Sequence, residues 1–288
     1  MTSSIVRFLA GDAPFFAGET QGVQGNAMRH PFMAASVSLL GKAGRRVRIL
    51  EVGSYAGFSA LTWAEAINKF CPDGGDILCI DPWVGYYDEK VLAVAESKGT
   101  SQQGLIAMSD DRHMDFVYEL FRHNISYANR GKVAIRHIRG SGVETFPYLR
   151  ERHFDLVYID GRHLYDDVLA DLRGAENLVA PGGYLCGDDL EAQLHEVDPD
   201  AARAASNRHS LTDAKSGTLY HPGVTLAVAD YFGGPVSNYH GYWIMRRSDD
   251  GSGYTPVDLR QTPTIIPKHF PPVWREALRS ALASLHKT

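Results

Sequence analysis

The stretch Val47-Arg48-Ile49-Leu50-Glu51-Val52-Gly53-Ser54-Tyr55-Ala56-Gly57-Phe58-Ser59 decides the fold. It opens as an apolar, β-branched run and ends in a loop with glycine at 53 and 57. Beyond the loop, Ala60, Trp63, Ala64 and Ile67 follow helical spacing, which lays one apolar stripe against a sheet. Strand, glycine loop and helix in that order predict the first unit of an α/β fold. Glycine allows the tight turn and a close approach of ligand to backbone, and the helix start offers unpaired N–H groups. A loop cradling a pyrophosphate prefers G-x-G-x-x-G. With Tyr55 in the middle, this one suits an amino-acid carboxylate better, with Ser59 as a hydroxyl donor.

Outward from that unit, Ile77–Ile80, Val133–Ile138, Phe154–Ile159 and Tyr184–Cys186 read as further buried strands. Continuous apolar runs of this kind suit a parallel sheet covered on both faces. Helical stripes follow the fourth strand (Tyr165, Val168, Leu169, Leu172, Ala175) and the fifth (Val224, Ala227, Val228, Tyr231). Val236–Tyr239 and Tyr242–Arg246 flank His240-Gly241 as an antiparallel edge. The expected architecture is a doubly wound, mostly parallel α/β sheet with an antiparallel edge strand, a lead-in helix over Ala27–Leu40 and two lid insertions, about 83–132 and 190–221. One catalytic domain over 1–247 and a C-terminal extension over 248–288, with a helix near Trp274–Leu285, complete the expected organisation.

Composition narrows the function. With 288 residues, 44% apolar and 22% charged, the chain reads as a globular protein with a sizeable core. A net charge of −5 provides no field for nucleic acid or an anionic membrane. No apolar run reaches the roughly 20 residues of a membrane span, and the N-terminus lacks the apolar stretch of a secretory leader. Cys71, Cys79 and Cys186 are too scattered for a disulfide framework or a zinc site. A cytoplasmic location is the expectation.

Strand ends carry the chemistry. The second strand ends at Asp81, whose carboxylate suits the two hydroxyls of a ribose. Trp83 is placed to pack on an adenine, and Gly140-Ser141 forms a small polar turn at the third strand end. The fourth strand ends in Asp160-Gly161-Arg162-His163 and the fifth in Asp188-Asp189. Neighbouring strands would gather Asp160, Asp188 and Asp189 into an acidic cluster that needs a cation. Hard oxygen ligands favour Mg²⁺, with Mn²⁺ or Ca²⁺ as substitutes. His163 is the expected general base; His195 and His221 are fallback bases. Tyr86, Tyr87, His113 and Tyr220 are candidates for lining an acceptor pocket.

Taken together, Glu51–Ser59, Asp81-Pro82-Trp83 and Asp160…Asp188-Asp189 resemble the class I S-adenosylmethionine-dependent O-methyltransferases. The nearest branch is the metal-dependent catechol O-methyltransferase-like group, in its bacterial sugar and natural-product arm. The resemblance covers about residues 27–247. It implies that Gly53 and Ser59 hold the methionine part of S-adenosylmethionine and that Asp81 binds its ribose. It implies too that Glu51, Ser54, Tyr55, Gly57, Trp83, Ser141 and Asp160 complete the cofactor site, and that Asp160, Asp188 and Asp189 bind Mg²⁺. Three departures stand out. His163 takes the place of a lysine base, Asp189 that of an asparagine, and Gly140-Ser141-Gly142 is shifted by one from G-x-S. The implied reaction is methylation of a hydroxyl on a small molecule with vicinal oxygens, a sugar, natural product or catechol. A homodimer is left open. The rival expectations are a non-catalytic S-adenosylmethionine-binding module, an N-methyltransferase and an NAD-dependent oxidoreductase.

Overall fold

The computed structural model describes residues 11, 13–16, 26–41, 44–86 and 109–285. Tyr87 and the rest of 87–108, part of the first expected insertion, lie outside them. The parallel strands are β1 (Val47–Val52), β2 (Gly75–Asp81), β3 (Val133–Arg139), β4 (Phe154–Ile159) and β5 (Val179–Leu190). A two-residue hairpin, β6 (Leu211–Thr212) and β7 (Leu219–Tyr220), stands apart. β8 (Ser237–Tyr239), β9 (Gly241–Arg247) and β10 (Tyr254–Pro256) close the edge. The eight-stranded sheet has the order β10-β9-β5-β4-β1-β2-β3, with β8 also on β9. β9 runs antiparallel to β5, as the sequence pattern predicts for the edge.

The chain winds from β1 to β2 and β3, then crosses to β4 on the other side of β1. The carboxyl ends of β1 and β4 therefore flank the switch point where ligands bind in open α/β sheets. The backbones are tied there: Gly53 N donates to Ile80 O (2.8 Å) and Asp160 N to Val52 O (2.8 Å). Register places Ile159 beside Gly187, so Asp160 and Asp188 emerge side by side.

Helices cover both faces, which explains why the inner strands are apolar throughout. On one face lie α1 (Arg29–Leu40), α2 (Phe58–Phe70) and α3 (Asp111–Ser126). In α3, Met114, Val117, Leu120, Phe121 and Ile125 are buried in the main core. That part of the 83–132 insertion is a core helix and not a lid, a correction that follows from its apolar stripe. Packed with the other face are α4 (Gly142–Thr145), α5 (Tyr165–Glu176) and, after α6 (Pro199–Ala204), α7 (Pro222–Phe232). The 190–221 insertion has a small core of its own, in which Ala192, Val197, Ala202 and Tyr220 meet Leu226 of α7.

The segment after Arg247 adds β10 to the sheet and ends in α8 (Pro272–Leu285). Between them Phe270 stacks on Phe58 at 4.7 Å, and His269 Nδ1 meets Glu65 Oε1 at 2.8 Å. Among the described residues no helix is long and apolar enough to cross a membrane.

Candidate active site

The β1 loop is built against the end of β4. Gly53 has φ +85°, and a Cβ there would lie 1.8 Å from the carbonyl oxygen of Asp160; only glycine fits. Gly57, also at φ +85°, starts α2 with Phe121 of α3 close behind it. Glu51 is fully buried and turns away from the strand ends, where Trp63 Nε1 donates to Oε2 (2.7 Å). Burial pushes its carboxyl up to about 7, against the neighbouring Ser54 and Ser59 hydroxyls and the Trp63 donor. Ser54 and Ser59 are themselves buried.

Two residues expected to touch a cofactor are used by the chain instead. Asp81 is wholly buried, and its carboxylate accepts from Tyr55 N (2.9 Å) and Trp83 N (2.7 Å). It ties the β1 loop to the end of β2, so its direct reading as a ribose acceptor is corrected to a loop staple. Burial raises its carboxyl to about 6 while those N–H groups oppose the rise. Trp83 is also fully buried: Nε1 donates to Tyr55 O (2.8 Å), and the ring lies 4.8 Å from both Tyr118 and Phe121. It is core, because its only polar atom is satisfied from inside, and the adenine-packing role is withdrawn. Ser141 caps α4, accepting from Glu144 N and donating to Glu144 Oε2 (2.7 Å). Tyr55, a non-glycine residue at φ +42°, has its hydroxyl 3.4 Å from His113 Nε2.

What these residues shape is a cavity of about 410 Å³ over the carboxyl ends of β1 to β4. Val52, Gly53, Pro82, Val84, Tyr86 and Ser141 line it, with Gly161 and Arg162 at the β4 end. The volume suits a nucleoside-sized ligand. Asp171 of α5 belongs to the same wall and carries no sequence motif. Ideal Cβ atoms on Gly142 and Gly161 would fall 2.7 and 3.1 Å from its two oxygens, so a side chain at 142 would displace the carboxylate and one at 161 would crowd it. Burial lifts its carboxyl to about 7. S-adenosylmethionine fits these surroundings: apolar walls, a glycine-only approach at the switch point and a buried polar carboxyl.

The three-aspartate cage does not form as expected. Asp188 and Asp189 end β5 at a bulge, where the regular alternation of a strand is broken, and they take different partners. The bulge lies between Gly187 and Leu190, with Asp189 at φ +57°. Asp188 pairs with the guanidinium of Arg29 on α1, whose other nitrogen lies 3.6 Å from Asp160 Oδ2. The side chains of Arg29 and Asp188 are 7% and 3% exposed, so a resident cation already compensates this pair. Asp188 is thus paired with Arg29, while Asp160 and Asp189 stand together with His163. Asp160 also accepts from Tyr158 OH (3.0 Å); burial raises its carboxyl to about 6, with Arg29 pulling the other way.

Asp189 turns to His163, with Oδ2 2.8 Å from Nε2. Against its burial, His163 and His221 hold Asp189 well below the usual carboxylate range. The ligand atoms of Asp160, His163 and Asp189 lie within 4.8 Å of one another. Behind them stand His221, at the start of α7, and His209, ahead of β6. His221 Nδ1 is 3.1 Å from Glu191; against its burial, Asp189 and Glu191 raise it to about 9. His209 is lowered to about 3 by burial and by the two neighbouring imidazoles. His195 lines a different cavity of about 520 Å³ with Leu190, Thr225 and Asp230. Tyr220 is buried.

Arg29, Asp171 and His209 escaped the sequence reading. Arg29 alone had a signal: it opens a helix, RHPFMAASVSLL, whose first nine residues are all buried.

Residues 50–190, just under half of the chain, match the family described as a methyltransferase domain. The O-methyltransferase ankF of Aspergillus thermomutatus is 24% identical over 191 residues, covering 66% of this chain and 64% of that protein. The uncharacterized protein y4gI of Sinorhizobium fredii (strain NBRC 101917 / NGR234) is 25% identical over 153 residues, 51% of this chain and 14% of that one. The chain thus spans less than two thirds of either relative. Among solved structures, the O-methyltransferase NovP superposes with a TM-score of 0.50 at 14% identity, over 77% of this chain and 80% of that one. At that identity the likeness is one of fold.

Proposed function

We propose that this chain, whose residues 50–190 match the family described as a methyltransferase domain, is a class I methyltransferase that transfers a methyl group from S-adenosylmethionine to a hydroxyl of a small molecule. The observation that carries the reading is the pairing of two features at one switch point. A nucleoside-sized cavity sits on the glycine loop, and His163, paired with Asp189, follows the lining residue Arg162 in the chain.

Bound there, S-adenosylmethionine supplies an electrophilic methyl on a positively charged sulfur. The chain's part is positional and protolytic. Gly53 lets the β1 loop pack against the Asp160 carbonyl beside the cavity, and Asp81 fixes the loop through Tyr55 and Trp83, so that the donor is held in one orientation. As the acceptor oxygen attacks the methyl carbon, its proton passes to the His163–Asp189 pair. Asp189 holds the imidazole through Nε2 and stabilises the imidazolium that results.

A second reading adds a divalent ion, Mg²⁺ with Mn²⁺ or Ca²⁺ as substitutes, held by Asp160, Asp189 and His163, which suits vicinal oxygens of a sugar or catechol. The proximity of those three ligand atoms favours it; Asp188 has no part in it. Methylation of a nucleobase nitrogen is less favoured, because the β4 end reads Asp160-Gly161-Arg162-His163 and lacks an aromatic clamp. Three buried free thiols, Cys71, Cys79 and Cys186, support a reducing compartment.

Calorimetry with S-adenosylhomocysteine and turnover on a panel of sugars, catechols and natural-product alcohols test the proposal. His163→Ala should cut turnover by roughly 10²–10⁴-fold while cofactor affinity stays within about twofold. A wild-type chain that does not bind S-adenosylhomocysteine, or an H163A variant as fast as wild type, overturns it.

A further inference from the structure

Three histidines from three separate segments meet beside the proposed proton acceptor. His163 follows β4, His209 precedes β6, and His221 opens α7. Their ring centroids are 4.7 Å (His163–His221), 4.9 Å (His209–His221) and 5.7 Å (His163–His209) apart. One nitrogen from each lies within 4.8 Å of the others. Methyl transfer as proposed uses only one of these rings. A second observation points the same way: His163 Nδ1 is buried and bonded to nothing. Since Nε2 faces the carboxylate of Asp189 at 2.8 Å, the lone pair of the neutral ring resides on Nδ1. Around the rings stand Asp189 and Glu191, whose oxygens form a further close group with His221.

We infer that His163, His209 and His221 form a binding site for a nitrogen-preferring divalent ion of the zinc, cobalt or nickel type, and that filling it switches off the proton acceptor. Imidazoles select such ions over Mg²⁺, which prefers oxygen. Zinc–nitrogen bonds of ~2.0–2.1 Å in a tetrahedron place ligand atoms roughly 3.3 Å apart, so ligand atoms now within 4.8 Å of one another draw in by up to about 1.5 Å around an ion. The carboxylates of Asp189 and Glu191 balance its charge and orient the rings behind it. An ion bound through either nitrogen of His163 competes with the proton that this ring would take up. This site differs from the Asp160–Asp189–His163 oxygen site of the second reading in donor set and in consequence. Its regulatory half rests on the proposed methyl transfer; its binding half does not.

The full chain, stripped of metal with a chelator, is titrated with Co²⁺ and followed by its visible d–d absorption. The expected result is one Co²⁺ per chain with the strong bands of a low-coordinate nitrogen site, displaced by Zn²⁺ and unaffected by Mg²⁺ in large excess. Turnover should fall in step with Zn²⁺ occupancy. His209→Ala, and His209→Gln as a variant that keeps the bulk, should each weaken Co²⁺ binding at least tenfold. Both should move the Zn²⁺ inhibition curve by the same factor with metal-free turnover unchanged. Absent bands, bands erased by Mg²⁺, or equal affinity in folded His209 variants overturns the site. Zn²⁺ occupancy without loss of turnover overturns the switch. If the wild type turns over no acceptor, the cobalt bands still decide the site while the methyl-transfer proposal fails separately.

Discussion

Replacing Arg29 by Met tests whether a protein cation does the work expected of a metal. Methionine keeps an unbranched apolar stem and removes only the guanidinium. The side chains left behind, Asp188 and Asp160, are 3% and 15% exposed, so Asp188 loses its ion-pair partner in low dielectric while Asp160 keeps only the Tyr158 hydroxyl and His163 beside it. Breaking a buried pair in this way destabilises by about 3–5 kcal/mol. With an unfolding entropy of ~2.1 cal/mol/K per residue, a chain of this length loses about 0.6 kcal/mol per degree, and the midpoint should drop by ~5–8 °C. The sign of the pH effect follows. Asp160 already titrates near 6 with Arg29 lowering it, so removing the arginine raises its folded value further above the unfolded one. A group raised in this way contributes stability at low pH that is lost as pH climbs through the folded value. The deficit of Arg29→Met should therefore be largest at pH 8 and shrink by pH 5. Added Mg²⁺ should raise the midpoint of the variant more than that of the wild type, because only the variant has an uncompensated acidic pair. Calorimetric unfolding at both pH values, with and without Mg²⁺, reads all three effects. A midpoint loss under about 1 °C, or an equal loss at pH 5 and pH 8, refutes the reasoning.

Two other substitutions separate framework from site. Trp83→Phe removes the donor to Tyr55 O and should cost about 1–2 kcal/mol in thermal unfolding, with S-adenosylhomocysteine affinity within threefold of wild type; a larger loss of affinity with unchanged stability would restore the adenine contact. Asp171→Asn removes a carboxyl that burial has raised to about 7. Its stabilising share is complete below pH ~4 and lost as pH rises through about 7. The variant should gain up to a few kcal/mol at pH 8 and change little at pH 4, as read by urea unfolding at the two pH values; a gain at pH 4 alone contradicts this sign.

The sheet could be read from the sequence because its physics is local. A strand covered on both faces must be apolar throughout, and Val47–Val52 and Phe154–Ile159 appear as such without knowledge of their partners. The apolar run that marks β5 in the sequence is Tyr184–Cys186 alone, because proline and two glycines precede it and polar residues follow it, yet the structure carries the strand from Val179 through to Leu190. The glycine loop was equally readable, for Gly53 is demanded by the Asp160 carbonyl that any such switch point brings close. Side-chain direction was not. Whether Asp81 faces a ligand or the loop depends on two N–H groups, Tyr55 and Trp83, that the loop itself supplies.

The charged cluster shows why composition at strand ends underdetermines chemistry. Asp188 and Asp189 look like one motif in sequence, but the bulge that carries them breaks the strand's alternation, and each finds a different partner. Asp188 meets Arg29, 159 positions earlier in the chain, on the helix side. Asp189, in a left-handed conformation that costs a non-glycine residue of order 1 kcal/mol or more, meets His163 and faces the histidine group. Strain of that kind persists only where the surroundings impose it, and here β5 pairing with β9 on both sides of the bulge does so. The bulge therefore divides a paired acidic motif into a structural half, neutralised by arginine, and a chemical half that orients an imidazole. Any functional assignment that treats the two aspartates as equivalent ligands predicts equal effects of D188N and D189N on turnover. The geometry predicts that D188N acts chiefly on stability, through the unpaired Arg29, and D189N chiefly on the proton transfer.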